Sequence, residues 1–293
     1  MKYFHRLHPV SAFIYLLGVI SISMFTRNPA VIVPSFLFSL GFYCLLAGGN
    51  KLLKSLAYSL PVMILITLSN PIFSHRGETV IFFVNDTPIT AESLLFGFFS
   101  SLMILSVFYW FKAYSEVMTA DKTVYLFGRA MPHLALTVSM TLEGVDKVGR
   151  YYREIDDAQR GLGIYGTDSL WDKLRLRLRV ISILITLCLE RSVESAQSML
   201  ARGYGLSGRS CAKGYRAEPS DYLFGVLSLI LSGVSLALLL FNKGEFSYYP
   251  ILDKISTEKE SVLLYACIFA LFSLSVICEI KENIKWHYLK SKI

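Results

Sequence analysis

Six stretches of the chain, residues 9–26, 30–47, 56–73, 93–111, 222–241 and 261–278, contain no Asp, Glu, Lys or Arg. Each approaches the roughly 20 residues that a helix needs to cross a hydrocarbon core about 30 Å thick. Lipid offers the backbone no hydrogen-bond partner, so such stretches must satisfy their own amides, as a helix does. Composition agrees: 54% of the 293 residues are hydrophobic and 17% are charged, against about 25% charged in a soluble domain. The expected fold is an all-α polytopic membrane protein with about six transmembrane helices and a helical cytoplasmic coupling domain. An aromatic content of 14% excludes disorder. A net charge of +7 would hint at nucleic acid in a soluble chain. Here it fits basic cytoplasmic loops facing anionic lipid, and no nucleic-acid partner is expected.

The loops set an expected orientation. With the N-terminus inside, the cytoplasmic segments carry Lys2 and Arg6, then Lys51 and Lys54, and at the tail Lys281, Lys285, Lys290 and Lys292. The outer segments carry Arg27, then Arg76 against Glu78, Asp86 and Glu92. The last of them sets Lys243, Lys254 and Lys259 against Glu245, Asp253, Glu258 and Glu260. Positive charge is in excess inside and balanced outside, which places both termini in the cytoplasm. No small-residue cleavage site follows the first apolar run, so it is expected to stay as a span. The β-branched and aromatic residues 79–84, the turn signal Asn85-Asp86-Thr87-Pro88 and Ile89-Thr90 predict a short hairpin.

The spans divide the chain into a membrane domain at 1–112, a cytoplasmic domain at 113–221 and a second membrane portion at 222–293. Within the cytoplasmic block, Thr119 or Asp121 is placed to cap a helix running to Gly128, and Pro132 closes that stretch. Two longer segments follow, at about 133–159 and 168–201. Each has an apolar interior (134–142 and 180–189) and a charged end, the pattern of a helix at the membrane base with a polar tip. The second begins with Lys173, Arg175, Arg177 and Arg179, a run suited to the lipid bilayer surface.

Both long segments end in the same motif. Arg160-Gly161-Leu162-Gly163-Ile164-Tyr165-Gly166 follows Ala158-Gln159, and Arg202-Gly203-Tyr204-Gly205-Leu206-Ser207-Gly208 follows Ala201. Glycine after a helix ordinarily takes the left-handed C′ position, and arginine in the last turn suits the negative helix end. Two copies on two helix ends of one block point further. Arginine's planar fork makes such tips fit for a partner with two equivalent acidic or carbonyl-lined sites.

These residues resemble the two Ala-Arg-Gly signatures of the transmembrane T component of energy-coupling factor transporters, the EcfT/CbiQ family. Residues 70–77 (Asn-Pro-Ile-Phe-Ser-His-Arg-Gly) and 119–132, with Tyr125-Leu126-Phe127-Gly128-Arg129, are similar to that family's segments at the end of the third span and at the start of the coupling domain. The first tip departs from the pattern, with Gln159 where the family usually has Ala. The resemblance implies a non-catalytic scaffold joining two ABC ATPase subunits to a substrate-binding S component, for uptake of a vitamin or a transition-metal ion. Ala158, Gln159, Arg160, Gly161, Ala201, Arg202 and Gly203 would form the ATPase-coupling tips, and residues 134–142 and 180–189 would cradle the S component. ATP and Mg would be held by the partner subunits, with no cofactor in this chain.

Other chemistry finds little footing. Four cysteines (Cys44, Cys188, Cys267, Cys278) lie in apolar runs, Cys211 stands alone, and no C-x-x-C pair exists, so no zinc or disulfide framework is expected. His5 and His8 read as interfacial residues, and Asp156, Asp157, Glu190 and Glu194 as solvated helix faces. The glycine-rich tips lack the preceding strand of a dinucleotide loop. A membrane-embedded enzyme or assembly scaffold is the alternative. An enzyme would ordinarily place ionisable residues within its spans, and those stretches have none.

Overall fold

The computed structural model describes residues 3–73, 77–84, 87–128, 131–163, 170–206, 215, 218–241, 244, 246–249, 252–253 and 258–290. Its elements in chain order are α1 (Tyr3–Arg6), α2 (Pro9–Phe25), α3 (Pro29–Ala47), α4 (Gly49–Phe73), β1 (Val80–Val84), β2 (Thr87–Thr90), α5 (Ala91–Val117), α6 (Ala120–Gly128), α7 (Pro132–Gly161), α8 (Leu170–Ala201), α9 (Pro219–Leu240) and α10 (Lys259–Lys290). The protein is an all-α polytopic membrane protein. Among the described residues, α3, α4, α5, α9 and α10 are long and apolar enough to cross a membrane. The apolar α2, with 17 residues, sits at the short end of the range of about 17–25.

The helices form two compact units, residues Met1–Thr119 with Tyr215–Ile293, and Ala120–Gly214. The sequence places these boundaries at 112/113 and 221/222. The difference arises because α5 continues past the charge-free stretch to Val117 and α9 begins at Pro219. Helix α10 likewise runs on to Lys290 as one rod. Backbone hydrogen bonding carries a helix beyond the lipid until a cap or a breaker ends it.

In the membrane unit, α3 packs on α5 and α10, α5 on α4 and α2, and α9 on α2 and α10. Small side chains let the backbones approach. A Cβ added at Gly18 of α2 would stand 2.7 Å from Ser232 Cβ of α9, and one at Gly225 would stand 2.8 Å from Ser11 Oγ. The Ser11 hydroxyl donates to the Asp221 carbonyl at 2.9 Å. Between α5 and α4, a Cβ at Gly97 would meet the Thr67 carbonyl oxygen at 2.8 Å. Lipid supplies no hydrophobic push between spans, so such contacts and hydroxyl bonds hold them together.

Large side chains fill the centre. Trp110, Tyr109, Tyr15, Phe42 and Phe272 are fully buried. Trp110 packs between Phe42 and Phe272, and its indole N–H donates to Ser35 Oγ at 3.2 Å. Tyr15 donates to the Leu271 carbonyl. The buried Tyr109 hydroxyl meets Ser59 at 2.9 Å, so the polar atoms of Trp110, Tyr15 and Tyr109 each have an outlet.

The hairpin expected at 79–90 is present: β1 pairs antiparallel with β2 through Val80 with Thr90, Phe83 with Pro88 and Val84 with Thr87. Its tip, Asn85 and Asp86, lies outside the described residues. Glu92, in the first turn of α5, ties the hairpin base down by accepting from the Thr79 hydroxyl at 2.7 Å and the Thr79 N–H at 3.3 Å. At the other end of the unit, the fully buried Glu279 of α10 accepts the Phe4 N–H at 3.5 Å. Sequence reading places Glu279 just past the last charge-free stretch, in the tail. Only the fold reveals that it anchors the N-terminal segment.

Candidate functional site

The second unit consists of α6, α7 and α8, with α7 packed on both α6 and α8. Helix α6 starts where Thr119 or Asp121 was expected to cap it and ends at Gly128. Helices α7 and α8 are 30 and 32 residues long and cover the two segments read from the sequence. The second expected start, Asp168, lies outside the described residues, as do the Ser74-His75-Arg76 part of one family-like segment and Arg129 of the other. Apolar residues 134–142 and 180–189 belong to these two continuous helices rather than to separate short ones.

Among the described residues of the three helices, only Lys122 and Val180 are buried. Helix α7 shows Leu134, Val138, Leu142 and Val145 to the outside, and α8 shows Leu174, Leu178, Ile181, Ile185 and Leu189. At 3.6 residues per turn each set falls on one helix side. Such stripes are the surfaces a partner or a lipid layer covers.

Both Arg-Gly motifs stand at helix ends, in different registers. Helix α8 ends at Ala201. The Gly203 N–H reaches the Leu200 carbonyl at 3.0 Å, and the Tyr204 N–H reaches the Met199 carbonyl at 3.0 Å. With Gly203 at φ 82° this is a Schellman cap: Arg202 is the C-cap and Gly203 the left-handed C′ residue. Helix α7 instead runs through Arg160 and Gly161. Its C-cap is Leu162, and the left-handed residue is Gly163 at φ 71°. The expectation that the glycine after each arginine terminates the helix therefore holds at the second tip and fails at the first. In the first motif the third residue after Arg160 takes the capping role, leaving Ala158, Gln159, Arg160 and Gly161 on the helix itself.

The arginines differ in engagement too. Arg160 directs both Nε and Nη2 at Asp156 Oδ2, at 3.0 and 2.9 Å. The sequence suggests a solvated face for Asp156, and its i,i+4 spacing to Arg160 is the signal that points to the pair. An exposed pair of this kind contributes only about 0.3–0.5 kcal/mol, so an incoming acceptor displaces it at small cost. Arg202 is exposed, and among the described residues it makes no ion pair. Beside Arg160, the Gln159 side-chain carbonyl is buried and, among the described residues, accepts no hydrogen bond. Glu190 is exposed, and Glu194 pairs with Arg191 at 3.1 Å.

Geometry keeps the tips apart. The 32 residues of α8 span about 48 Å. The roughly ten residues from Arg160 to Leu170 reach at most about 35 Å, so Arg160 and Arg202 stand at least about 10 Å from one another. No group of three or more His, Cys, Asp or Glu side chains gathers in metal-binding range among the described residues. At the N-terminus, His8 caps α2 by accepting the Val10 N–H at Nδ1, 3.4 Å away.

Compared with family models and with curated proteins, the chain matches none.

Proposed function

We propose that this membrane protein is the transmembrane coupling subunit of an ABC importer of the energy-coupling factor type. One observation carries the reading: two long helices, hardly buried anywhere, each present an Arg-Gly motif at a tip, and the two arginines stand at least about 10 Å from one another. Two ATPase subunits are the partners such a pair fits, each receiving one arginine in an acidic or carbonyl-lined groove. ATP and Mg belong to those partners. When nucleotide turnover changes the distance between the ATPases, the tips of α7 and α8 are carried with them, and the packing of α7 on α8 transmits the shift along the helices. The exposed apolar residues of 134–142 and 180–189 then receive a membrane-embedded S component, whose reorientation delivers a vitamin or a transition-metal ion. In this reading both termini face the cytoplasm.

The decisive experiment is affinity purification of the chain from its native membrane in mild detergent, with identification of what accompanies it. Recovery of two ABC ATPases and one small hydrophobic protein is the expected result. A chain recovered alone, or with unrelated soluble enzymes, overturns the coupling role and favours a membrane-embedded enzyme or assembly scaffold.

A further inference from the structure

The first three turns of α8 are built differently from the rest of that helix. Leu170 and Trp171 are 82% and 80% exposed, and Leu174 and Leu178 are 50% and 57% exposed. With about 100° between successive residues, these four lie on a single stripe. The same rotation places Arg175 just beyond one edge of the stripe and Arg177 just beyond the other, with Arg179 and Lys173 each about 40° further round. All four cations are exposed. The acid of this stretch, Asp172, lies on the opposite side and is partly covered. Beyond Arg179 the stripe continues through Ile181, Ile185 and Leu189, but no charged residue borders it until Glu190. Leu176, Val180, Ile183, Leu184 and Leu187, on the other side of the helix, are covered or partly covered, as is Cys188 on the later part of the stripe.

An apolar stripe edged on both sides by lysine and arginine is the pattern of a helix lying in a membrane interface. The apolar side chains dip toward the acyl region, and the long basic stems reach back to the headgroups. A Trp on the apolar side adds a residue whose ring prefers headgroup depth. A protein groove would meet the stripe's apolar part equally well along its whole length, but it would gain nothing from four cations confined to one end. An anionic surface accounts for both features. We infer that residues 170–179 of α8 bind the surface of an anionic phospholipid layer, with Trp171, Leu174 and Leu178 inserted and Lys173, Arg175, Arg177 and Arg179 on the phosphates. This anchor is independent of which proteins meet the tips.

Trp171 supplies the probe. The full chain is reconstituted in nanodiscs of phosphatidylcholine containing phosphatidylglycerol, with bromine on the acyl chains of one lipid or the other. Subtracting the signal of a Trp171→Phe variant isolates Trp171 from Trp110 and Trp286. Brominated phosphatidylglycerol should quench Trp171 at least about threefold more than brominated phosphatidylcholine at equal mole fraction, since each surface cation favours the anionic lipid. Raising salt from about 0.1 to about 1 M shrinks the Debye length from about 10 to about 3 Å and should erase most of that preference. Inorganic phosphate at millimolar concentration, which has the charge without the acyl chains, should leave it intact. The variant K173Q/R175Q/R177Q/R179Q should lose the preference, whereas K173R/R175K/R177K/R179K should keep it. If the Gln variant fails to fold, the wild-type lipid and salt comparisons still decide. Equal quenching by both lipids overturns the inference. So does Trp171 that acrylamide reaches freely in anionic discs, or that is shielded only when a soluble protein is added.

Discussion

The two units spend their apolar residues in opposite ways. In the membrane unit, Trp110, Tyr109, Phe42 and Phe272 are sealed between α2, α3, α5 and α10, and glycine and serine bring α2 against α9. In the unit of α6 to α8, two helices of 30 and 32 residues bury little beyond Val180 and hold Ile185 and Leu189 at the surface. The first unit has a packed aromatic core and leaves outer faces, such as Leu60, Leu65 and Phe73 of α4, to a lipid surround. The second has helices that hold their shape by backbone bonding and i,i+4 pairs, and a surface that others must finish. A helix pair with so small a core draws its tertiary stability from what covers it.

Paired substitutions test that difference. Trp110→Ala should cost about 3–5 kcal/mol, seen as a large fall in melting temperature of the detergent-solubilised chain. Ile185→Ala should change the melt of the isolated chain by no more than about 0.5 kcal/mol and instead weaken retention of a membrane partner. Equal melting losses would erase the contrast between the units.

The glycines offer a second pair. Gly97→Leu drives a side chain into the Thr67 carbonyl, which cannot move aside, and should cost about 3 kcal/mol and yield aggregated material on size exclusion. Gly149→Leu in α7, where a Cβ meets nothing within 4 Å, should leave a monodisperse chain. An aggregated Gly149→Leu protein would show that α7 is packed more tightly than its exposure indicates.

Arginine substitutions sharpen the contrast within the second unit. Arg202→Ala and Arg160→Ala should leave the melt unchanged while lowering uptake. A charge-assisted hydrogen bond contributes about 1.5–3 kcal/mol, so loss of Arg202 should weaken ATPase binding about tenfold or more. Loss of Arg160 should cost less, because its guanidinium must first leave Asp156, and the double variant should nearly abolish association. Normal transport by all three would reduce both tips to helix caps.

The smallest effect is expected from pH. Burial lowers the His8 pKa below its ordinary 6.5, against an opposing pull from Asp221. The neutral ring is the form that accepts the Val10 N–H. The folded pKa lies below the unfolded one, so this contribution is present above about pH 6.5 and is lost as pH falls through the folded value. A modest drop in melting temperature under mild acid, absent in His8→Asn, is expected. An identical drop in the variant would remove His8 as its source.

Much of this architecture is legible in the chain. Charge-free stretches of span length, the hairpin signals around residues 79–90 and the long charged-tip segments each follow from local rules of hydropathy and hydrogen bonding. The tips show where such reading stops. Two identical Arg-Gly strings take different registers, because the helix end is chosen by which glycine can adopt positive φ with carbonyls in reach, and each motif holds more than one glycine. Asp156 was visible at its i,i+4 spacing, yet its bond to Arg160 depends on rotamers that sequence does not state.

The order of residues along the chain is enough to show that it crosses a membrane, and that its charged block forms helices with apolar interiors. Those properties depend on residues within a few turns of one another and on transfer from water to lipid. Tertiary structure alone decided that Glu279 holds the N-terminal segment, that α2 and α9 close through Gly18 and Gly225, and which side of α8 stays uncovered. Each of these depends on what a residue meets far away in the chain, where hydropathy is blind and only packing discriminates.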